Sequence, residues 1–430
     1  MATNRYWTMT LVVMVAFLMG CGESDQTVQQ PSRLLMIGID SADWGLLDRM
    51  IEDQRLPNLA ALRAQSASGT MRSFHPLEKS PLLWASICTG MKPEVHGIGH
   101  FVKGAEQSPL GANDWEAPAI WDIIGPVGRK SAVIGMWMTY PARDISGVLV
   151  SDYLQYSSTQ KQTTERMISP DSLSAPLSSL RVTMDDIEDA DLAHFLPVDK
   201  IPIVERKKPR LLPKLKAFFA ADLTYLSVAR ELAKEDAFDF FFLYLRGPDM
   251  VSHKFWRFYE PEKGNLPRDP ELEEILGQVV PRYYEWTDEA VGEVLSWFPE
   301  DRQVVTVSDH GFYGPRVVET SFRDATQEHT VNGIFTIRSP LYEPGTRFNQ
   351  LELLSVCPTL LSLLGIPPAE DMPGGVLLKG LSDEGRQRLP DLERNRIESY
   401  QMLAPGDIEG GETPEIDEKI REQLRTLGYI

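Results

Sequence analysis

Carboxylate and imidazole side chains directly follow two apolar segments of this 430-residue chain. Asp40 comes after the apolar run 34–39, and Asp309 comes after the run 304–308 and precedes His310. The carboxyl ends of parallel strands meet at one edge of an open sheet, which is where ligands gather. Two carboxylates and one imidazole brought together at such an edge have the ligand chemistry of a divalent-cation site.

A second group of candidate ligands lies near the middle of the chain and beyond it. Asp249 comes shortly after another apolar segment, 239–245, and His253 follows it by four positions. Residues four apart lie on the same side of a helix, so these two side chains could share one cation. His329 lies in the sequence Gln-Glu-His-Thr-Val-Asn-Gly, ahead of a further apolar stretch.

Each of these residues also has a purely structural interpretation. An aspartate at a strand end often caps a turn or a helix. A single histidine is more often a satisfied polar residue than a ligand, and an Asp-x3-His spacing arises by chance in many chains. Ser80, which precedes Pro81, could simply cap a helix, because Ser at the N-cap and Pro at the first helical position make a good helix start. The complete set, placed in one order along the chain, favours a functional site.

The elements that must position these residues alternate in type. Short continuous apolar runs predict buried strands at 33–40, 131–138, 239–245 and 303–307. A helical stripe over 284–298 precedes the last of these strands. The predicted fold class is therefore α/β, with an open, mostly parallel sheet and helices on both faces.

The alternation breaks at about 140–230, which predicts an insertion or cap on a core that spans 33–380. Residues 381–430 are read as a charged C-terminal tail.

The first twenty residues have the features of an export signal. Arg5 precedes the apolar run Leu11–Met19, which is too short to span a bilayer. The run ends Leu18-Met19-Gly20-Cys21, which resembles a bacterial lipobox. We therefore expect residues 1–20 to be a lipoprotein signal peptide. The alternative is an ordinary signal peptide with a chance cysteine.

The expected lipidation site is Cys21, followed by a polar tether over 21–32. Acyl chains on this cysteine would hold the folded part at a membrane of the bacterial cell envelope. Gly22 stands where an aspartate would signal retention in the inner membrane. We therefore expect the periplasmic side of the outer membrane.

Charge and cysteine content exclude several classes of protein. Acidic residues number 62 and basic residues 43, for a formal charge of −19. This excess disfavours nucleic acid as a surface-bound partner, although a small phosphorylated substrate held by metal ions remains compatible with it. Only three cysteines occur, so the chain is not a disulfide scaffold. No protein partner is predicted.

Six motifs occur in one order along the chain. They are Ile37-Gly-Ile-Asp40, Ser80-Pro-Leu-Leu-Trp-Ala-Ser-Ile-Cys-Thr-Gly90, Pro93-Glu-Val-His-Gly-Ile98, Asp249-Met-Val-Ser-His253, Ser308-Asp-His-Gly311 and Glu328-His-Thr-Val-Asn-Gly333. Their order resembles the alkaline phosphatase superfamily, and most closely its type I phosphodiesterase/nucleotide pyrophosphatase branch. The resemblance covers roughly residues 33–145 and 235–380, and it implies an alkaline-phosphatase-like core.

The resemblance also implies two metal sites and a nucleophile. Its ligand sets, carried over by position, are Asp249, His253 and His329 for one cation, and Asp40, Asp309, His310 and the Ser80 hydroxyl for the other. Two divalent cations are therefore expected, and zinc is the expected ion. A cation beside a serine hydroxyl favours the alkoxide, so Ser80 would attack phosphorus and form a phosphoseryl intermediate. His96 is interpreted as part of a structural turn after the nucleophile helix.

Two comparisons with related enzymes refine this prediction. Better known members of the branch carry an asparagine three positions after the nucleophile, where this chain has Leu83. Sulfatases of the same superfamily need a Cys or Ser two positions before Pro and four before Arg. Here Pro81 directly follows Ser80 and Trp84 stands at the fourth position, which weighs against a sulfatase.

The leading hypothesis is a metal-dependent phosphoric ester hydrolase, specifically a phosphodiesterase. One alternative is a transferase that moves phosphoethanolamine or a similar group onto an envelope glycan or lipid. Hydrolysis and transfer share the first step and differ in whether water or an alcohol accepts the group. A second alternative is a surface lipoprotein that binds a partner on a hydrolase scaffold without catalysis.

Overall fold

The central strand forms where the sequence is apolar without interruption. All six residues of β1 (Leu34–Ile39) are buried, as expected for a parallel strand covered on both faces. β1 pairs in parallel with β8 (Phe240–Leu245) on one side and with β9 (Gln303–Val307) on the other. The three strands that precede the candidate ligands Asp40, Asp249 and Asp309 are therefore neighbours.

The computed structural model describes residues 32–156, 166–263, 267–314 and 328–408, together with 417–418, 421–422 and 425. The predicted signal peptide at 1–20 and the predicted lipidation site Cys21 lie outside the described residues. Within the described part of the chain, no helix combines the length and the hydropathy needed to cross a membrane.

Thirteen strands occur in the described ranges. Their bounds are β1 (Leu34–Ile39), β2 (Ala67–Arg72), β3 (Val102–Lys103), β4 (Ser108–Pro109), β5 (Ser131–Ile134), β6 (Gly147–Val150), β7 (Ile168–Ser169), β8 (Phe240–Leu245), β9 (Gln303–Val307), β10 (Gly311–Phe312), β11 (His329–Thr330), β12 (Asn332–Arg338) and β13 (Arg347–Glu352). Nine of them form one sheet in the order β13-β2-β12-β9-β1-β8-β5-β6-β7. β10 pairs with β11, and β3 pairs with β4, in two small separate sheets.

The large sheet is open and mostly parallel. Parallel pairing joins β13 to β2, β9 to β1, β1 to β8, β8 to β5 and β5 to β6. Antiparallel pairing is confined to β2–β12, β12–β9 and β6–β7 among the pairs of this sheet. The predicted fold class is confirmed.

Helices surround the sheet. Their bounds are α1 (Trp44–Glu52), α2 (Pro57–Ala64), α3 (Ser80–Thr89), α4 (Pro93–His96), α5 (Ile120–Ile124), α6 (Ser174–Ser178), α7 (Ile201–Lys207), α8 (Leu211–Ala233), α9 (Gly247–Tyr259), α10 (Pro270–Leu276), α11 (Val279–Ser296), α12 (Val356–Leu363) and α13 (Asp383–Arg394). α9 packs against α8, α10 and α11, while α3 packs against α12. The helical stripe predicted at 284–298 corresponds to α11.

The segment predicted as an insertion, 140–230, contributes directly to the sheet and its covering helices. β6 and β7 extend the sheet beyond β5, and most of α8, which packs on β8 and α9, lies within the same segment. The boundaries proposed for this segment and for the tail at 381–430 stay predictions.

Helix α3, which begins at Ser80, packs closely on the central strands. The Trp84 ring of α3 lies against Tyr244 of β8, with ring centroids 4.7 Å apart. A Cβ at Gly38 of β1 would lie only 2.7 Å from the Trp84 ring, so this position of β1 has no room for a side chain. The start of α3 is thereby held close to the carboxyl end of β1.

Candidate metal centre and nucleophile

Asp40 lies at the carboxyl end of β1 and is held there by neighbouring aromatic side chains. It is 1% exposed, and the Tyr244 hydroxyl of β8 donates a short hydrogen bond to its Oδ2. Trp137 Nε1 in turn donates to the Tyr244 hydroxyl at 2.7 Å. Burial, followed by the nearby charge of Asp249, raises the Asp40 pKa from 3.8 to about 7.

Asp309 and His310 follow β9 at the same edge of the sheet, and both are fully buried. Burial and the adjacent Asp40 carboxylate raise the Asp309 pKa well above its usual range. His310 Nε2 lies 3.5 Å from Asp40 Oδ1 and 3.4 Å from Asp309 Oδ2. Burial and the His329 ring lower the His310 pKa well below its usual range, so this imidazole is neutral and can act as a ligand.

Ser80 is the first residue of α3. The N-cap residue is Lys79, which makes no side-chain cap bond, so Ser80 occupies the first helical position and not the N-cap. The Ser80 hydroxyl instead lies 3.0 Å from His310 Nε2. Because His310 Nδ1 faces the Gly311 carbonyl at 3.2 Å, we assign the proton to Nδ1, which leaves Nε2 to face Ser80. The structure thus places the hydroxyl beside the same imidazole nitrogen that lies near both carboxylates of this edge. We call Asp40, Asp309, His310 and Ser80 the strand-side set.

The second set is carried mainly by α9. Asp249 Oδ1 lies 3.3 Å from His253 Nε2 and 3.1 Å from His329 Nε2. The two Nε2 atoms are 2.9 Å apart. Burial would raise the Asp249 pKa, but the two histidines outweigh it and hold the pKa well below its usual range. We call Asp249, His253 and His329 the helix-side set.

Glu328 supports the helix-side set from behind. His253 Nδ1 donates to Glu328 Oε2 at 2.6 Å, and the glutamate is 4% exposed. A carboxylate on the outer nitrogen of a ligand histidine fixes the tautomer and the ring orientation. It thereby directs His253 Nε2 towards Asp249 and His329.

Ser41 connects the two sets. Its hydroxyl donates to Asp249 Oδ1 at 2.6 Å and lies 3.1 Å from His310 Nδ1. The backbone of Ser41 has φ of 63°, a conformation that is uncommon outside glycine. Tyr284 of α11 donates to the Ser41 carbonyl at 3.0 Å. This turn brings the serine hydroxyl between a ligand of each set.

The cluster has the donor chemistry of a cation site. Ligand atoms of Asp40, Asp309 and His310 lie within 4.8 Å of one another, and so do those of Asp249, His310 and His329. Asp40 Oδ1 and both Asp309 carboxylate oxygens are buried and accept no hydrogen bond from an N–H group or alcohol within the described ranges. Buried carboxylates without donors are costly unless a positive charge balances them. Divalent cations therefore fit these residues.

Comparison with known proteins agrees with this geometry. The profile described as "Type I phosphodiesterase / nucleotide pyrophosphatase" matches residues 34–320. The chain belongs to the type I phosphodiesterase/nucleotide pyrophosphatase family. This membership places it among the hydrolases of the alkaline phosphatase superfamily. A search of the curated proteins found no match.

Two solved structures share the fold of this family member. A 2-O GAG sulfatase is 13% identical, with a TM-score of 0.51 over 81% of this chain and 73% of that chain. A proposed sulfatase from Bacteroides thetaiotaomicron VPI-5482 is 13% identical, with a TM-score of 0.52 over 89% of this chain and 76% of that chain. At this identity the two structures establish a shared fold and nothing about substrate.

All seven residues that the sequence singled out converge in one buried cluster of this phosphodiesterase-family chain. Asp40, Asp309, His310 and Ser80 meet at the ends of β1, β9 and α3, and Asp249, His253 and His329 meet between α9 and β11. Their roles as ligands and nucleophile stay predictions.

Residues around the cluster show which neighbours are structural. His96 is buried, contacts the Ser86 hydroxyl at 2.9 Å and accepts from the Ile98 N–H at 3.1 Å, and burial lowers its pKa to about 4. The predicted structural turn is a short helix, α4, with His96 as its last residue and Gly97 directly after it. Leu83, at the position where relatives carry asparagine, is fully buried.

Sequence reasoning missed Ser41, Tyr244 and Glu328. Ser41 and Glu328 are direct neighbours of Asp40 and His329 in the chain, so position beside a predicted ligand was an available signal. Tyr244 offered none, because its contact with Asp40 depends on the pairing of β1 with β8.

Proposed function

We propose that this protein is a metal-dependent phosphoric ester hydrolase that acts on diesters, with Ser80 as nucleophile. The observation that carries the proposal is the position of the Ser80 hydroxyl, 3.0 Å from His310 Nε2 and at the same strand ends as the Asp40 and Asp309 carboxylates. Three potential metal ligands surround this position, so a cation bound to them could activate the buried serine hydroxyl.

Two divalent cations are part of the proposal, and zinc suits mixed carboxylate and imidazole ligation. Asp40, Asp309 and His310 would hold one of them with Ser80, and the helix-side set would hold the other. Bound there, the cations would lower the pKa of the serine hydroxyl and balance charge on the phosphoryl oxygens.

The proposed chemistry on the protein is a double displacement. Ser80 Oγ forms a bond to phosphorus while the ester P–O bond breaks, which gives phosphoseryl and an alcohol. The serine proton passes to water, and the departing oxygen takes up a proton. Water then attacks phosphorus, the Ser80 Oγ–P bond breaks, and the free hydroxyl is restored.

The residues next to Ser80 favour a phosphoryl group over a sulfuryl group as the group transferred. The fold is shared with sulfatases, but Ser80 is followed at once by Pro81, and Trp84 stands where those enzymes need arginine. Trp84 is fully buried against β1 and β8. Ser80 is therefore proposed to act as an unmodified alcohol.

The test is an ester panel under controlled metal loading. Mature protein is treated with chelator, divided, and reloaded with zinc, and each sample is assayed on bis-p-nitrophenyl phosphate, p-nitrophenyl phosphate and p-nitrophenyl sulfate. We expect zinc-restored hydrolysis that is fastest on the diester. Equal activity with and without metal, or a preference for the sulfate, would contradict the proposal.

We further propose that the enzyme is lipidated at Cys21 and faces the periplasm from the outer membrane. The supporting observation is the lipobox-like sequence Leu18-Met19-Gly20-Cys21 after an export-type apolar run. Fractionation of cells that express the wild type and Cys21→Ser tests it. We expect the wild type in outer-membrane vesicles and the variant in the soluble periplasmic fraction, and a soluble wild type would contradict the proposal.

A further inference from the structure

The helix that carries Asp249 and His253 begins with unusual support from another part of the chain. α9 starts at Gly247, and the preceding residue, Arg246, places no side-chain cap on its first turn. Asp222, a fully buried residue of α8, accepts a hydrogen bond from the Gly247 N–H at 3.1 Å to Oδ2 and 3.3 Å to Oδ1. A carboxylate from a distant helix thus takes the place of a local cap.

A second helix contacts this carboxylate at the start of α9. Tyr283 of α11 donates to Asp222 Oδ2 at 3.0 Å. A Cβ at Gly247 would lie 2.2 Å from both Asp222 Oδ2 and the Tyr283 hydroxyl oxygen. Only glycine allows the two side chains to approach the helix start so closely.

Side chains and backbone of other elements also hold Arg246, the residue before the helix. One amino group of Arg246 lies 3.1 Å from the Asp152 carbonyl and 3.4 Å from the hydroxyl of Tyr225. Its guanidinium lies over the Trp137 ring, 4.4 Å from the centroid. Tyr225 and Asp222 are three positions apart on α8, so one face of this helix contacts the whole turn between β8 and α9.

We propose that Asp222 is a positioning residue for the helix-side set. The inference rests on the proposed metal-dependent function. Asp249 is two residues beyond Gly247 and His253 is four residues further, so a shift of the α9 start moves both ligands together. The proposed action of Asp222 is through the start of the helix and not as a ligand.

The experiment measures zinc affinity directly, by competition with a chromophoric chelator, in the full-length protein. Asp222→Ala removes the cap, Asp222→Asn keeps an acceptor oxygen without the charge, and Tyr283→Phe is the matched control that leaves the bond to Gly247. Loss of support behind metal ligands typically costs about 10- to 100-fold in affinity. We expect such a loss in Asp222→Ala for one of two zinc equivalents, a smaller loss in Asp222→Asn, and a change below about 3-fold in Tyr283→Phe.

Three results would overturn the inference. They are wild-type affinity for both equivalents in Asp222→Ala, an equal loss at both equivalents, and a loss in Tyr283→Phe as large as that in Asp222→Ala. A wild-type protein that binds no zinc would instead defeat the proposed function. In that case, hydrogen exchange at the first-turn amides of α9 tests the capping role by itself. Faster exchange in Asp222→Ala than in Tyr283→Phe supports the capping role, and equal exchange overturns it.

Discussion

The two ligand sets meet in one cluster but balance their charge in opposite ways. In the strand-side set, burial and mutual repulsion raise the pKa values of Asp40 and Asp309. In the helix-side set, burial acts in the same direction on Asp249, but His253 and His329 reverse it and lower the pKa. In the strand-side set, neighbouring carboxylates therefore disfavour ionisation, whereas in the helix-side set two imidazoles favour ionisation of the single carboxylate.

This difference indicates how each set depends on metal. Carboxylates whose pKa is raised in the metal-free protein are stabilised most by a bound cation, because the cation favours their ionised form. The strand-side set also contains Ser80, so the edge with the stronger demand for positive charge is the one that carries the proposed nucleophile. The helix-side set is already held by hydrogen bonds from Ser41 and to Glu328.

The largest expected effect is a loss of catalysis with little change in zinc binding. Ser80→Ala removes the proposed nucleophile of the strand-side set, and we expect kcat on bis-p-nitrophenyl phosphate to fall by about 10³-fold or more. Zinc affinity of the helix-side set should stay within about 3-fold of wild type. Ser296→Ala, at an exposed position of α11, is the control. Full activity in Ser80→Ala would mean that another group attacks phosphorus.

A pair of isosteric variants tests the charge difference in the metal-free state. Asp249→Asn removes a carboxylate that accepts from Ser41 and contacts two histidines, so we expect the free energy of unfolding to fall by about 2–3 kcal/mol. Asp309→Asn removes a carboxylate that accepts no such bond. We therefore expect the free energy of unfolding either to change by no more than about 0.5 kcal/mol or to rise.

Urea unfolding of the chelator-treated proteins at pH 7 measures both values for this pair. Equal losses in Asp249→Asn and Asp309→Asn would show that the two sets are balanced alike, and would remove the contrast.

The pH dependence of the strand-side set follows from Asp40. Its folded pKa of about 7 exceeds the ordinary 3.8, so between these values the folded state keeps a proton that the unfolded state has lost. Stability of the metal-free wild type therefore falls through this window as pH rises. Asp40→Asn lacks this titration, so we expect its stability relative to wild type to rise by about 3 kcal/mol between pH 4 and pH 7.

Paired unfolding curves of wild type and Asp40→Asn, with chelator and then with zinc, provide the measurement. The gain should disappear with zinc because the cation holds the carboxylate ionised at all of these pH values. Parallel pH profiles in the metal-free state would contradict the raised pKa.

The smallest expected effect concerns Glu328, whose carboxylate supports the helix-side set. Glu328→Gln weakens the hydrogen bond from His253 Nδ1, and we expect about a 10-fold lower zinc affinity at one equivalent. Glu343→Gln, at an exposed position, should leave affinity unchanged. An unchanged affinity in Glu328→Gln would show that His253 is held by packing alone.

Much of the cluster could be predicted because its signals are local. An uninterrupted apolar run that ends in an aspartate identifies Asp40 and Asp309, and a four-residue spacing places Asp249 and His253 on one side of a helix. The segment 140–230 was harder to interpret, because strands as short as β7 (Ile168–Ser169) show too few residues for a periodic pattern.

Ser80 illustrates where a local signal is ambiguous. Ser-Pro before an apolar run fits a helix cap and a nucleophile equally well. The proposal that Ser80 is the nucleophile depends on His310, which lies 230 positions away in the chain and 3.0 Å away in space.

The sequence by itself determined the α/β class, the order of the elements and the chemical type of the ligands, because apolar periodicity and residue type act over a few neighbouring residues. Only the tertiary structure decided which partners orient those ligands. Tyr244 reaches Asp40 across 204 positions, and Asp222 reaches the start of α9 across 25 positions. Such contacts are set by strand register and helix packing, which depend on the whole folded chain and leave no local trace in the sequence.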